Sequence, residues 1–192
     1  MAKTYIAHLK SKSPYSQSKH YDEGDAPRLE KESNDAYERR TWRHRMHVTA
    51  DGHVQIPAMA IKNCLSEAAK FLSLGIKGKG KSTYTKHIEA GVMTTQPIVL
   101  PLLAADVDGE PLFVPSDGRR GGGTRVTRVF PLIREWEGEI PILVMDETVT
   151  EEVLRLHLIE GGKLIGIGRF RPRNNGFYGR FSLVDLEPAT DE

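Results

Sequence analysis

Residues 4 to 9, TYIAHL, alternate apolar and polar positions, with Tyr5, Ala7 and Leu9 on one face, which predicts a first strand. Periodicity is then lost through residues 10 to 40, rich in Ser, Lys, Asp and Glu and too long for a simple connection. From Arg45 the pattern MHVTADGHVQIP predicts a hairpin turning at Asp51-Gly52. Ala58, Ile61, Leu65, Ala68, Ala69 and Leu72 recur at three-and-four spacing behind Pro57, which predicts a helix over about 57–73 with Gly75 as its stop. An exposed Gly/Lys loop follows, IKGKGKSTYTKHIEAGV, and residues 92 to 114 mix apolar runs with Pro97, Pro101 and Pro111, as irregular edge strands do. Thr124 to Ile133 and Ile140 to Met145 read as two strands joined across Glu137-Gly138. Thr148 and Glu151 have capping-box spacing for a second helix, with Val153, Leu154, Leu156 and Leu158 inward and Gly161-Gly162 ending it. Lys163 to Gly168 reads as a strand, a glycine-rich loop follows, and Tyr178 to Glu187 is the last strand. The order β, α, β, β, α, β predicts an α+β, ferredoxin-like or RRM-like core. Its insertions are an arm at about 10–44 and a loop and edge-strand subregion at about 76–123, both thumb-like.

Composition supports one soluble, folded domain of 192 residues, with 39% hydrophobic and 28% charged residues. Neither a bilayer-spanning run nor a signal-peptide pattern is legible, so the expectation is a cytoplasmic protein without membrane partners. Cys64 is the single cysteine and sits on the inner side of the first helix, which predicts a small buried hydrophobe, no disulfide and no metal site. No cofactor is expected.

Charge changes the picture. The formal net charge is only +1, yet four acid-free windows, Arg39–His47, Lys77–His87, Arg119–Arg128 and Lys163–Arg180, hold 17 of the 27 Lys and Arg. Acids collect between Asp22 and Glu38, from Glu135 to Glu160 and at the C-terminus. Such segregation makes a local positive face without a high isoelectric point, provided the four windows fold to one side. The last window, KLIGIGRFRPRNNGFYGR, combines forked phosphate donors, flexible glycines and aromatic platforms. The candidate strand-binding residues are therefore Lys62, Lys77, Lys79, Lys81, Lys86, Arg119, Arg120, Arg125, Arg169, Arg171, Arg173, Arg180, Phe177 and Tyr178, with Trp42 and Arg43 at the end of the arm. Phe170 is a further stacking candidate, and Phe181 reads as core. GKGKST lacks the spacing of a phosphate-binding P-loop and follows a helix, which excludes nucleotide hydrolysis on that motif.

VQIPAMAIKNCL, residues 54 to 65, resembles the IPGSSLKG strand-to-helix element of the RAMP superfamily of CRISPR-associated proteins. GIGRFRPRNNGFYGRF resembles the glycine-rich segment near the C-terminus of that superfamily. The resemblance implies an RRM-like subunit that polymerises along a single-stranded guide RNA with other effector subunits, in a filament of its own copies. Lys62 stands at the family's lysine, while Ala58, Met59 and Ala60 replace its Gly and Ser positions. The aromatic-rich arm, with Tyr15, Tyr21, Tyr37 and Trp42, reads either as a segment ordering on a neighbouring copy or as a helix over about 34–43 packing on its own domain. A metal-independent guide-processing endoribonuclease is the alternative, with His44 or His20 as general base. Asp22 and Asp25 are candidates for cleavage by the arm. A single-stranded DNA-binding protein on the same fold is the third reading.

Overall fold

The computed structural model describes residues 2–116 and 123–189. The alternation in TYIAHL becomes β1, Lys3–Ser11. It lies between β8 (Glu137–Val144) and β9 (Phe181–Pro188), and the short β4 (Val92–Thr94) closes the sheet beyond β8. All three pairings are antiparallel, with Tyr5 opposite Ile142 and Ala7 opposite Ile140. Those pairs put buried side chains on one face, which α2 (Ala58–Leu72) and α4 (Glu151–Glu160) cover. Chain order β1, α2, β4, β8, α4, β9 with sheet order β9-β1-β8-β4 is the ferredoxin-like, RRM-like arrangement. The fold class matches the expectation, although one of its strands lies elsewhere than the sequence pattern places it.

The second core strand is Val92–Thr94, not Thr124–Ile133. The latter forms β7 (Arg125–Ile133) of a separate three-stranded sheet, paired with β6 (Asp108–Pro115) and with β2 (Tyr15–Ser16). Glu137-Gly138 is no turn, since it begins β8, where a Cβ on Gly138 would collide with Ile98. Lys163–Gly168 is not a strand either. Helix α4 runs on into a π-helical turn, Gly161–Ile165, and Gly166 and Gly168 then take φ of +71° and +73°, which no strand accommodates. Gly161-Gly162 therefore does not stop the helix. A Cβ at Gly161 would lie 3.2 Å from Cys64 Sγ, and one at Gly162 2.8 Å from the Phe181 ring, so these glycines let the last turn press onto α2 and β9. The cap of α4 is Thr150, whose Oγ1 accepts from Val153 N at 3.4 Å, instead of Thr148. Helix α2 stops at Ser73, in left-handed conformation with φ +47°, two residues before Gly75.

β3 (His53–Ile56) and β5 (Ile98–Leu103) form a two-stranded ribbon, and α3 (Thr85–Gly91) leads into β4. The arm folds back onto its own chain. Helix α1 (Asn34–Thr41), capped by Ser33, packs with the following 3-10 turn Trp42–Arg45 against β7. Tyr15, Tyr37 and Trp42 are only 2%, 6% and 6% exposed. Two of its acids pair with arginines of α1. Glu32 binds Arg40 at 2.8 and 2.9 Å, which holds its carboxyl down at about 2, and Asp35 binds Arg39 at 2.9 Å. The arm thus takes the second of its two readings.

Candidate nucleic-acid interface

An RRM-like sheet offers an open face, but here that face is acidic. Ile6 and His8 of β1 stand beside Glu139 of β8 and Asp185 and Glu187 of β9. Glu137 at its end holds Lys10 at 2.7 Å and His8 at 2.8 Å.

The arginines and exposed rings of the glycine-rich window lie beside the second sheet. The glycine-rich segment folds as an irregular hairpin between the π-turn and β9, closed by Ile167 N to Gly179 O at 3.0 Å and Tyr178 N to Phe170 O at 2.9 Å. Its tip is a 3-10 turn, Pro172–Asn174, completed by Asn175 in left-handed conformation. The hairpin docks on the strand after β1 through Arg169 N to Ser16 O at 2.9 Å and Gly179 N to Pro14 O at 2.7 Å. At Gly179, φ is +76° and a Cβ would collide with the Ile167 carbonyl, so the close return of the chain requires glycine. Phe170 also holds a positive φ of 57°, rare and strained for a bulky aromatic, and its ring remains 53% exposed. Phe177 is 61% exposed.

These rings continue a run of neighbouring guanidinium and aromatic groups. The Arg45 Cζ lies 5.5 Å from the Tyr21 centroid and 5.3 Å from that of Phe130. The Arg169 Cζ stacks 3.4 Å over the same Phe130 ring and lies 5.4 Å from Phe170. Phe170 and Tyr178 are 6.3 Å apart, Tyr178 and Phe177 5.9 Å, and the Arg180 Cζ is 6.0 Å from Phe177. Packing fixes this track from beneath. The Tyr178 hydroxyl donates to Glu110 at 2.6 Å, and burial together with that bond pushes its pKa up to about 12, so it stays a neutral donor. Burial works against the charge of Arg169, while Glu110 supports it. Glu38, 1% exposed, accepts from Arg45 at 2.6 and 3.2 Å, Arg128 at 3.1 Å and Val129 N at 2.7 Å, and so fixes two guanidinium groups at the start of the track.

The candidates read from sequence divide accordingly. Arg169, Phe177, Tyr178 and Arg180 come together on the track. Arg171 is engaged with Glu67 of α2 at 2.7 Å, with Arg173 4.0 Å from the same carboxylate, so this pair anchors the hairpin. Trp42 is core: its ring packs on Gly109 and carries Arg43 at 4.3 Å, and no base reaches its buried faces. Arg43 also donates to Ala105 O at 3.3 Å. The Lys62 ammonium caps α3, donating to Ile88 O at 2.7 Å and Glu89 O at 2.9 Å, and burial pulls its pKa down. It has no reach to spare for a phosphate at the start of α2. Lys77, Lys79 and Lys81 are exposed on the loop after α2, where Lys79 lies 3.4 Å from Thr148 Oγ1, and Lys86 is exposed on α3. Arg125 opens β7 and donates to Phe113 O at 3.4 Å, while Arg119 and Arg120 lie outside the described residues. His44 packs its ring 5.4 Å from that of Tyr21, and His20 pairs with Asp22 at 3.3 Å. Among the described residues no cluster of three or more His, Cys, Asp or Glu could hold a metal ion, and no helix is long and apolar enough to cross a membrane.

Sequence reasoning missed Arg45, Arg128 and Phe130. Both arginines belong to acid-free windows, but only the pairing of α1 with β7 brings them together.

No protein-family profile matches the chain, and no curated protein matches it. Among solved structures it is similar to Cmr6 from Pyrococcus furiosus, with a TM-score of 0.47 and 13% identity over 95% of this chain and 99% of that one. It is also similar to a chain of a CRISPR RNA-guided surveillance complex, with a TM-score of 0.38 and 9% identity over 96% of this chain and 66% of that one. Likeness at these values decides nothing about this chain's function, which rests on its own residues.

Proposed function

We propose that the protein binds a single nucleic-acid strand, RNA in the first instance, along the track from Arg45 to Arg180. The observation that carries this reading is a continuous run of arginines and aromatic rings in which Phe170 and Phe177 are exposed and Arg169 and Arg180 are half-buried beside them. It supplies phosphate donors and base platforms without selecting sequence. The motif resemblance described above adds RNA over DNA and a setting, a CRISPR-type ribonucleoprotein in which further subunits or copies continue the strand. The protein then acts by holding and ordering the strand, with no bond made or broken.

Fluorescence anisotropy of labelled RNA and DNA of equal sequence at several salt concentrations tests it. The logarithm of the affinity falls linearly with that of salt concentration, by about 0.7 for each phosphate neutralised. Replacing Phe170 and Phe177 together by alanine removes two platforms of about 1 to 3 kcal/mol each while leaving the thermal melt in place. Unchanged affinity in that double variant would overturn the reading.

One observation favours the nuclease alternative: His20, with Asp22 beside it, stands among the cations that begin the track. Cleavage of the labelled strand that disappears on His20→Ala would establish it.

A further inference from the structure

At the arm end of the track, Ser18, Lys19, His20 and Tyr21 line an open pocket of about 400 Å³ with Arg28, Tyr37, Arg45 and Arg128. Its cations come from four places: the segment after β2, the loop before α1, the 3-10 turn and β7. Within the pocket the charge does not cancel. Glu38 saturates both its oxygens on Arg45, Arg128 and Val129 N, so two guanidinium groups share one carboxylate and a positive charge is left over. Arg28 stacks 4.3 Å over the Tyr37 ring, and the acid that feels its charge, Glu32, is already held by Arg40. Among the described residues neither Lys19 nor Arg28 has an ion pair. Arg28 and Arg45 are both backed by aromatic rings, which restricts where their forks point.

A backbone phosphodiester passing along a groove presents one charge and two free oxygens. A phosphomonoester has three oxygens and up to two charges near neutral pH, and as a terminal group it can enter a concave site and meet donors from several sides. We infer that this pocket receives a phosphomonoester, carried either on the end of a strand or on a free mononucleotide. The inference rests on the strand-binding reading only for the first of these carriers, since Arg45 belongs to both pocket and track.

The experiment compares 5′-phosphorylated, 3′-phosphorylated and 5′-hydroxyl forms of one oligoribonucleotide by anisotropy, and adenosine monophosphate with adenosine by calorimetry. Both use the intact protein and its Lys19→Gln, Arg28→Gln double variant. A phosphorylated end binds about tenfold tighter than the hydroxyl end, as expected for one added charge-assisted contact, and adenosine monophosphate binds where adenosine does not. In the double variant the preference collapses, while affinity for the hydroxyl strand changes by less than about threefold, because the track is intact. Arg128→Lys, which keeps the charge and loses the fork, gives an intermediate preference, and the affinity for the hydroxyl strand that the double variant retains rules out a folding defect in it. Equal binding of phosphorylated and hydroxyl ligands in both arms overturns the inference, and so does a preference that survives the double substitution. Mononucleotide binding by a protein that ignores every strand would support the pocket and refute the strand-binding reading, which keeps the two failures apart.

Discussion

Phe170 combines backbone strain with an exposed ring, two features that a residue kept for packing alone would avoid. A left-handed conformation costs an L-residue about 1 to 2 kcal/mol and costs glycine almost nothing. Phe170→Gly therefore leaves the urea midpoint equal or higher while weakening strand binding, and a lower midpoint with unchanged affinity would make the ring a packing residue. His157 poses a second question at this scale. Its Nδ1 lies 2.6 Å from the Val153 carbonyl, which can only accept, so the ring carries its proton there; Nε2 is buried, and burial lowers the pKa below 6.5. A ring held neutral in the fold but free to protonate when unfolded contributes stability above its unfolded pKa and loses it as pH falls through that value. The protein thus loses stability as pH falls from about 7 through the unfolded histidine value, and His157→Leu flattens that part of the curve. Urea titrations of both proteins across the range check it.

At the scale of elements, legibility followed periodicity. Helix α2 was readable to within a residue because Ile61, Leu65, Ala68 and Ala69 form an uninterrupted stripe, and all four are buried. β1 was readable because one of its faces is core and the other is solvent. Val92–Thr94 escaped because three residues carry no period, whereas the nine-residue β7 looked like the better core strand. Local pattern cannot say which sheet a strand joins. Gly161-Gly162 misled for a different reason: glycine marks both chain termination and close approach, and only the neighbouring Cys64 and Phe181 distinguish the two uses. Gly162→Ala forces a Cβ onto Phe181 and destabilises the fold by about 1 to 3 kcal/mol, with strand affinity of the folded fraction unchanged. Denaturant melts paired with anisotropy separate these effects. A neutral substitution would mean that the π-turn is free to move away from β9.

For the molecule as a whole, segregation of charge was visible in sequence but its destination was not. Arg169 and Arg180 reach the track from the glycine-rich window, Arg45 and Arg128 from two others, while the Lys77–Lys81 loop sits beside Thr148. Cationic residues drawn from sequence include several that close the structure on itself, among them Lys62, Arg171 and Arg43. Those residues meet carbonyls or carboxylates that lie far away along the chain, which no local pattern can anticipate. The open face of the ferredoxin-like sheet is acidic for a reason equally hidden in one dimension, since Glu139, Asp185 and Glu187 become neighbours only through the β8-β1-β9 register. Location is therefore the claim on which the functional account depends. Ultraviolet crosslinking of the intact protein to a labelled oligouridylate, followed by peptide mapping, measures it directly. Adducts at Phe170, Phe177 and Tyr178, with weaker ones at Tyr21, are the predicted result. Adducts confined to Tyr84 and the Lys77–Lys81 loop, or none at low salt, would contradict it.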